Sequence, residues 1–326
     1  MIDFKGKNIL VCGGTGFIGL NIVRELVRNP TTGIIRVTYR TKRDFYDQDQ
    51  WLDKVELVRA DLTSKEVCEQ VTKEMDYMIV SNAVSFGAKF IQSNPMALIN
   101  SNTIMNVLLF ESAVNNGVTK IVYFGSTTGY PESEKDMIEE DMFSADPFDK
   151  YFSVGWMKRY AEVLLRLYSE KLKKIDATVL RLTNVIGDYD KFSPEGSHVL
   201  PALIRKINDN PEKIEIWGNG EESRDIIHVS DVVTATLLAL DRVEGFEAIN
   251  IGSGKNITVN EMIEVLTDGA DIEVVNIPNN SEMIKHRSVN VEKAKRVLSF
   301  TPKDSIETAI LKAKRWYAEN KESIYR

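Results

Sequence analysis

The chain has few of the residues that build disulfide frameworks or metal centres. It carries two cysteines and three histidines in 326 residues. No cysteine–histidine spacing indicates a metal site. The simplest interpretation of Cys12 and Cys68 is that both are small buried hydrophobic residues. A reducing, cytoplasmic compartment is therefore expected.

The sequence also lacks long apolar runs and an excess of positive charge. No apolar stretch approaches the roughly 20 residues of a membrane-spanning helix, and the N-terminal segment lacks the apolar core of a signal peptide. A net charge of −7 argues against nucleic acid or an anionic membrane as a partner. The length and the 43% hydrophobic content are typical of a folded chain with a large core and two lobes.

What the chain does have is a glycine-rich turn near its N-terminus. Residues 13–19 read Gly-Gly-Thr-Gly-Phe-Ile-Gly, after a strand-like run and before a helix-like one. Such a turn brings backbone N–H groups and the positive end of a helix against a pyrophosphate. Gly13 permits the tight turn, Gly16 the close approach to phosphates, and Gly19 the packing of helix on sheet. The pattern predicts a dinucleotide site.

Apolar strand-like runs alternate with helix-like stretches over the first half of the chain. The predicted strands are Ile9–Cys12, Ile34–Tyr39, Val55–Arg59, Tyr77–Ser81, Lys120–Gly125 and Ala177–Leu182. The predicted helices are Ile18–Val27, Lys65–Lys73, Asn102–Asn115 and Val154–Leu172. This alternation predicts an α/β fold of the Rossmann type, a doubly wound parallel sheet covered by helices on both faces.

The pattern changes after about residue 185, where loops lengthen and the strands become short and isolated. We therefore expect a dinucleotide-binding domain over residues 1–185 and a smaller α/β substrate lobe over residues 186–326. Residues 232–266 are regular again, and we expect them to return to the first domain.

Motifs along nearly the whole chain resemble those of one known family. They are the glycine turn, Arg59–Leu62, Phe124–Tyr130, Lys158–Glu162, Arg181–Gly187 and Trp217–Val229. On these the chain resembles the extended short-chain dehydrogenase/reductase family of NAD(P)-dependent nucleotide-sugar epimerases, dehydratases and reductases. Residues 190–192 and 197–205 resemble the guanosine-site region of its GDP-fucose synthase members.

The resemblance implies an oxidoreductase that transfers hydride at C4 of a nucleotide sugar, here a GDP-sugar, in glycan precursor synthesis. Two alternatives stay open: an epimerase that retains its cofactor, and a non-catalytic NAD(P)-binding regulator. The resemblance also implies a homo-oligomer, with a dimer built from two helices of each subunit, here residues 102–115 and 154–172.

The resemblance implies a nicotinamide cofactor, with its adenine near Asp61 and Leu62. No carboxylate follows the second predicted strand to hold the ribose hydroxyls of NAD. The cations that stand there suit a 2′-phosphate, so NADP(H) is favoured, although a solvated basic loop beside an NAD site is the alternative. The residues expected to contact the cofactor are Gly13, Thr15, Gly16, Phe17, Ile18, Gly19, Arg40, Lys42, Asp61, Leu62, Ala83 and Lys158.

The catalytic set implied by the resemblance lacks one member. In the family, a Tyr four residues before a Lys acts as acid or base, the Lys holds the nicotinamide ribose, and a Ser or Thr hydrogen-bonds the reacting oxygen. Lys158 and Ser126 match the last two positions. The Tyr position holds Val154, which cannot transfer a proton.

Three explanations for Val154 are open. The register is shifted and Tyr151 acts, although it lies about 10 Å along the helix from Lys158. Another group carries the proton: Ser126 through water, or Thr128 or Tyr189, which occupy the places of the family's epimerising Cys and His. Or the protein binds without turnover. We favour the second explanation, with simple oxidation or reduction rather than C3/C5 epimerisation.

The remaining candidates are expected to line the nucleotide-sugar site. In the resembling enzymes the residue at Arg224 clamps the diphosphate, and Arg suits this because it offers paired donors to phosphate. Helix capping for His198 and a plain surface charge for Arg287 are equal alternatives. The candidates are Ser85, Asn184, His198, Trp217, Arg224 and Arg287.

Overall fold

A seven-stranded parallel sheet forms the centre of the computed structural model, in which residues 2–41, 52–84, 95–194, 197–209, 212–269, 272–278 and 284–324 are described. The strands of these residues are β1 (Ile9–Cys12), β2 (Ile35–Tyr39), β3 (Glu56–Arg59), β4 (Tyr77–Val80), β5 (Lys120–Ser126), β6 (Asp176–Leu182), β7 (Asn184–Ile186), β8 (Lys213–Trp217), β9 (Ser223–Arg224), β10 (Ile226–His228), β11 (Phe246–Ile251), β12 (Ile257–Thr258), β13 (Glu273–Ile277) and β14 (His286–Arg287). The central sheet has the order β11-β6-β5-β4-β1-β2-β3.

Helices cover both faces of this sheet. Those of the described residues are α1 (Phe17–Arg28), α2 (Lys65–Thr72), α3 (Pro95–Asn115), α4 (Phe152–Arg166), α5 (Val199–Asp209), α6 (Val229–Arg242), α7 (Val259–Thr267), α8 (Glu292–Leu298) and α9 (Ile306–Ile324). The apolar sides of α1, α6 and α8 form a core on one face. Those of α2, α3 and α4 form the core of the other. The inner strands are buried from both sides, which is why they are almost entirely apolar.

The strand order reverses beside β1. The chain runs from β1 outward through β2 to β3, and then returns to place β4 on the other side of β1. In open α/β sheets, the connections that follow two such strands leave on opposite faces, which opens a crevice at the carboxyl ends of the strands. In open α/β sheets, ligands bind at such a reversal.

A separate core, the C-terminal core, lies under the short strands of the C-terminal part. There β7 pairs with β10, β8 with β13, and β9 with both β12 and β14. The core packs α5, α7 and α9 against β8, around Phe192, Leu266 and Tyr317. These strands are too short to form a layer of their own, so the helices supply most of the buried surface.

The predicted α/β fold with a doubly wound parallel sheet is confirmed. Helix α3 begins at Pro95, well before the predicted start at Asn102, because a proline is compatible with the first turn of a helix. Of the segment 232–266, α6 and β11 lie on the large sheet. Helix α7 packs in the C-terminal core, and the boundaries of the two lobes stay a prediction.

Candidate active site

The glycine turn lies between β1 and α1, beside the reversal of strand order. Gly13 has a φ of +70°, and a Cβ there would come 2.6 Å from the Cα of Asn82 in the loop after β4. A side chain on Gly19 would collide with the carbonyl of Gly13. Both positions require glycine, and the start of α1 is thereby held directly against the carboxyl ends of the strands.

The start of α1 offers its amide groups to the crevice. Gly16 occupies the N-cap position and makes no side-chain cap, Phe17 and Ile18 form the first turn, and Thr15 is buried beside them. The Oδ1 atom of Asn82 is buried without a hydrogen-bond partner among the described residues. Uncapped amides and an unsatisfied polar atom in a glycine cradle fit an anionic dinucleotide.

Further predicted cofactor residues stand at the neighbouring strand ends. Asp61 accepts hydrogen bonds from the hydroxyl of Thr63 at 2.7 Å and from its backbone N–H at 3.1 Å. These bonds, with a smaller contribution from the charge of Arg40, hold the pKa of the Asp61 carboxyl below its ordinary value. Arg40 and Ala83 are exposed, and Leu62 is buried. Two predicted residues lie outside the described residues: Lys42 and Ser85.

The structure brings Ser126 and Thr128 together at the end of β5. The Thr128 hydroxyl donates to the Ser126 Oγ at 2.9 Å, and the Thr128 N–H donates to the same atom at 3.1 Å. Lys158 of α4 donates from Nζ to the carbonyl of Phe124 at 2.7 Å, and its Nζ lies 4.8 Å from the ring centre of Tyr123. Both predicted catalytic groups therefore meet the same strand.

Val154 stands one turn before Lys158 on a regular helix. Helix α4 is continuous from Phe152 and is preceded by a 3₁₀ turn, which rises faster per residue than an α-helix. Tyr151 therefore keeps its separation of about 10 Å along the axis from Lys158, and nothing in the helix supports the shifted register. A Cβ on Gly155 would come 2.8 Å from the Thr128 carbonyl, so α4 approaches the Ser126 turn very closely.

Buried ionic contacts that the sequence analysis missed hold α4 in this position. Arg181 of β6 donates from Nε to Glu162 of α4 at 3.1 Å, and both side chains are almost fully buried. Arg159, which follows Lys158, donates from Nε to the Gly129 carbonyl at 2.8 Å and is also buried. The only sequence signal was the four-residue spacing of Glu162 from Lys158, which places both on one helix.

Two arginines meet where β9 pairs with β14. Arg224 and Arg287 are directly opposite in the register. Arg224 donates from Nη1 to the carbonyls of Ser223 at 2.7 Å and Ile284 at 2.8 Å. Arg287 is 7% exposed, and its Nη2 has no hydrogen-bond partner among the described residues. Burial first, then the charge of Arg224, lowers the pKa of Arg287 to about 10.

Lys150 adds a third positive charge that the sequence analysis did not predict. It is half-buried and precedes Tyr151, whose ring lies 5.3 Å from the guanidinium carbon of Arg287. Burial and then the charge of Arg224 lower the pKa of Lys150. Cations so close together repel one another, and an anion bound between them would relieve that repulsion.

The carboxyl group of Asp225 braces the strand that carries Arg224. It is fully buried and accepts hydrogen bonds from the N–H and Oγ of Ser253, at 2.7 and 2.8 Å, and from the N–H of Gly254 at 3.0 Å. Burial nevertheless raises its pKa to about 6, because these hydrogen bonds offset only part of the lost hydration.

Three further predicted substrate residues are exposed around the C-terminal core. Asn184 donates from Nδ2 to the Asp225 carbonyl at 3.0 Å. Trp217 ends β8 and is 69% exposed. The carbonyl of His198 accepts from the N–H of Ala202 at the start of α5. Their contacts with a substrate stay predictions.

Tyr189 contacts residues of α1 and α9. Its backbone has a φ of +68°, its ring centre lies 5.0 Å from that of Trp316, and the Arg24 guanidinium lies 5.1 Å above the ring. The ring packs against the core on the α1 face of the sheet, whereas Lys158 stands on α4 of the other face. A proton-carrying role for Tyr189 therefore gains no support from these contacts.

The described residues contain neither a metal-binding cluster nor a membrane-spanning helix. Among them, no three or more His, Cys, Asp or Glu side chains are grouped so that they could hold a metal ion. In the same part of the chain, no helix combines the length and the apolar character of a bilayer crossing. Cys12 and Cys68 are buried and unpaired, as predicted. The cytoplasmic location stays a prediction.

Known proteins share this architecture over nearly the whole chain. The model of the NAD dependent epimerase/dehydratase family matches residues 9–252. The putative GDP-L-fucose synthase 2 of Arabidopsis thaliana is 27% identical over 97% of this chain and 93% of its own length. A GDP-mannose 3,5-epimerase 1 of Oryza sativa subsp. indica is also 27% identical, over 95% of this chain and 82% of its own.

A solved structure shows the same arrangement. The UDP-glucose 4-epimerase of Thermotoga maritima, crystallised with UDP-glucose, is 26% identical and aligns with a TM-score of 0.85. The alignment covers 96% of this chain and 99% of that one. The resemblance found in the sequence is confirmed by these comparisons.

Proposed function

We propose, because the chain belongs to the NAD dependent epimerase/dehydratase family, that it is an NAD(P)-dependent oxidoreductase acting on a nucleotide sugar. The observation that carries the substrate is the buried Arg287, whose Nη2 has no partner among the described residues, directly opposite Arg224. A buried charged donor without a partner is costly, and paired guanidinium groups suit a diphosphate.

The residues of the crevice divide into those that bind and those that hold a proton. Gly13, Gly16 and the start of α1 would hold the dinucleotide, and a bound nicotinamide supplies hydride exchange with the sugar at C4. Because Thr128 donates to the Ser126 Oγ, the hydroxyl proton of Ser126 can be directed to a sugar oxygen. We assign the proton-holding role to this pair, beside the positive charge of Lys158.

A second candidate function is epimerisation with the cofactor retained. It is favoured by the similarity to the GDP-mannose and UDP-glucose epimerases. A reductase or dehydrogenase changes the absorbance near about 340 nm by one equivalent for each sugar converted, because its cofactor leaves changed. An epimerase changes the ratio of sugar isomers with no net change in absorbance. Binding without either change would favour a regulator, which Val154 permits.

The finer identity of the cofactor depends on the end of β2. Arg40 is exposed there and lies near Asp61. The sequence from Tyr39 to Arg43 has no carboxylate that would repel a 2′-phosphate. We therefore propose NADP(H), and expect the substitution Arg40→Gln to weaken NADPH more than NADH in equilibrium titrations.

For the substrate base we propose guanine, with Trp217, His198 and Asn184 around the nucleotide sugar. The support is the likeness to the GDP-sugar enzymes of Arabidopsis and rice. The structural relative was solved with UDP-glucose, so uridine is the alternative. Competition of GDP and UDP for one site, measured by calorimetry, separates them.

An exposed apolar stripe supports a homodimer. Four side chains are 40–48% exposed and follow the spacing of one helix face: Trp156, Tyr160 and Val163 on α4, and Leu167 directly after its end. The neighbouring α3 adds Ile104, which is 45% exposed. A twofold axis would pair this surface with itself in a second copy. We expect Val163→Glu to yield monomers in sedimentation, while the parent chain sediments as a dimer.

The experiment that tests the proposed function is mass spectrometry of nucleotides that copurify with the chain. An NADP or NAD mass supports the cofactor site, and a nucleotide-diphosphate sugar supports the substrate site. Turnover is then measured with GDP-, UDP-, dTDP- and CDP-sugars. No copurifying dinucleotide, together with no binding of added NADPH or NADH, would contradict the proposal.

A further inference from the structure

Tyr151 joins α4, the helix of Lys158, to the pair formed by Arg224 and Arg287. It is the last residue of the 3₁₀ turn Asp149–Tyr151, and α4 begins at the next residue. Its N–H donates to the Phe148 carbonyl at 2.8 Å, which fixes the backbone. Its ring centre lies 5.3 Å from the guanidinium carbon of Arg287. One side chain therefore links the helix of Lys158 with the pair Arg224 and Arg287, which is called the anion site below.

Arg287 needs such a contact because its surroundings are unfavourable for a cation. It is buried, and it lies directly opposite Arg224 in the strand register. The charge of Arg224 opposes that of Arg287, whereas Tyr151 and, more weakly, Glu132 make electrostatic contributions that favour it. The face of an aromatic ring carries negative potential, so it attracts a guanidinium without using the hydrogen-bond donors.

The two arginines are held by different means. Arg224 is oriented by two backbone carbonyls that accept from Nη1. Arg287 has the Tyr151 ring beside its guanidinium, while its Nη2 has no hydrogen-bond partner among the described residues. A ring contact of this kind fixes the guanidinium and leaves that donor for a ligand.

We propose that Tyr151 is a positioning residue for substrate binding, whose ring holds Arg287 so that Nη2 meets the diphosphate of a nucleotide sugar. This inference rests on the proposed function. It also gives Tyr151 a role other than that of the missing acid, because the residue lies about 10 Å along the helix from Lys158. The ring, and not the hydroxyl, is the part that acts.

The test compares substitutions that keep or remove the ring in the full-length chain. Tyr151→Phe keeps the ring, Tyr151→Met removes it at similar length, and Phe152→Leu removes an exposed neighbouring ring as the matched control. Calorimetry measures the affinity for GDP, with GMP as the probe that has one phosphate less. We expect Tyr151→Met to weaken GDP by about 5- to 30-fold and GMP by less. Tyr151→Phe and Phe152→Leu should stay within about twofold of the parent.

Arg287→Gln separates failure of this inference from failure of the proposed function. If Arg287→Gln weakens GDP but Tyr151→Met does not, the role of Tyr151 is wrong and the anion site stands. If Tyr151→Phe weakens GDP as much as Tyr151→Met, the hydroxyl acts and the inference is overturned. If GDP binds equally to the parent and to Arg287→Gln, the anion site of the proposed function is wrong as well. Should Tyr151→Met not fold, Tyr151→Leu is used with the same expected loss.

Discussion

The proposed active site has a cofactor end and a substrate end, and the two are built in different ways. At the cofactor end, the proposed phosphate-binding turn is one contiguous segment, residues 13–19 between β1 and α1. At the substrate end, Arg224 and Arg287 come from distant parts of the chain and meet only because β9 pairs with β14. A contiguous site is recognisable from its pattern, whereas an assembled one is recognisable only once the strand pairing is known.

The largest effect is expected where the two ends meet. Val154→Tyr would place a phenol one turn before Lys158. If both ends are functional, turnover should rise by about 10²- to 10⁴-fold, since that is the usual contribution of proton transfer. Steady-state rates on the sugar nucleotide identified by mass spectrometry give the measurement. Val154→Phe is the control, and an equal gain with Phe would mean that packing, and not the proton, was limiting.

Gly13→Ala should break the cofactor end alone. The substitution forces an L-residue into a φ of +70° and brings its Cβ to 2.6 Å from the Asn82 backbone. We expect about 10- to 100-fold weaker NADPH binding and unchanged GDP binding. Gly117→Ala also has a positive φ, of +80°, but meets open space, so it controls for strain without a collision. Equal loss of both ligands in Gly13→Ala would show that the two ends are not independent.

The substrate end should respond to pH through Asp225. Its pKa is raised to about 6 in the folded protein from an ordinary value of 3.8. The stabilisation that follows from this shift is complete below the unfolded pKa and is lost as pH rises through the folded pKa. From about pH 5 to about pH 8 this loss is about 1.4 kcal/mol.

Urea unfolding at both pH values measures this loss. Relative to the parent, Asp225→Asn should gain that amount on going from low to high pH. Asp149→Asn, at an exposed position, should track the parent at both values. If Asp225→Asn also tracked the parent, the carboxyl would not titrate in this range.

The smallest effect is expected for Lys150. Lys150→Gln removes one charge at the edge of the arginine pair, so GDP binding should weaken by about two- to fivefold and become less sensitive to salt. Lys135→Gln, at an exposed lysine, is the matched control. Titrations at low and high ionic strength measure both. An unchanged salt dependence in Lys150→Gln would place this lysine outside the site.

The sequence predicts well those features that depend on short segments. The α/β fold follows from apolar runs at regular spacing. Short motifs predicted Ser126 and Lys158, which the structure brings to the same strand, and their catalytic roles stay predictions. Arg159 and Lys150 were missed because a charged residue in a helical stretch reads as a surface residue. Arg159 is buried where it donates to the turn at 127–130, and Lys150 is affected by the charge of Arg224 on β9, so both depend on segments elsewhere in the chain.

Other predictions failed or stay open for similar reasons. The sequence did not show that Tyr189 would adopt a positive φ and pack against Trp316, because both depend on the position of α9. The sequence of helix α7 resembles that of the helices on the large sheet, yet its apolar side faces the C-terminal core. Which core a helix joins is decided by the path of the chain before it.

The close approach of α4 to the Ser126 turn separates two rows of positions on that helix. Gly155, Arg159 and Glu162 fasten the helix to the turn and to β6. In the adjacent row, Lys158 also bonds to β5 through the Phe124 carbonyl, whereas the Val154 side chain has no polar group that could fasten the helix. A substitution at position 154 can therefore change the chemistry beside Lys158 while the contacts that hold the helix stay in place.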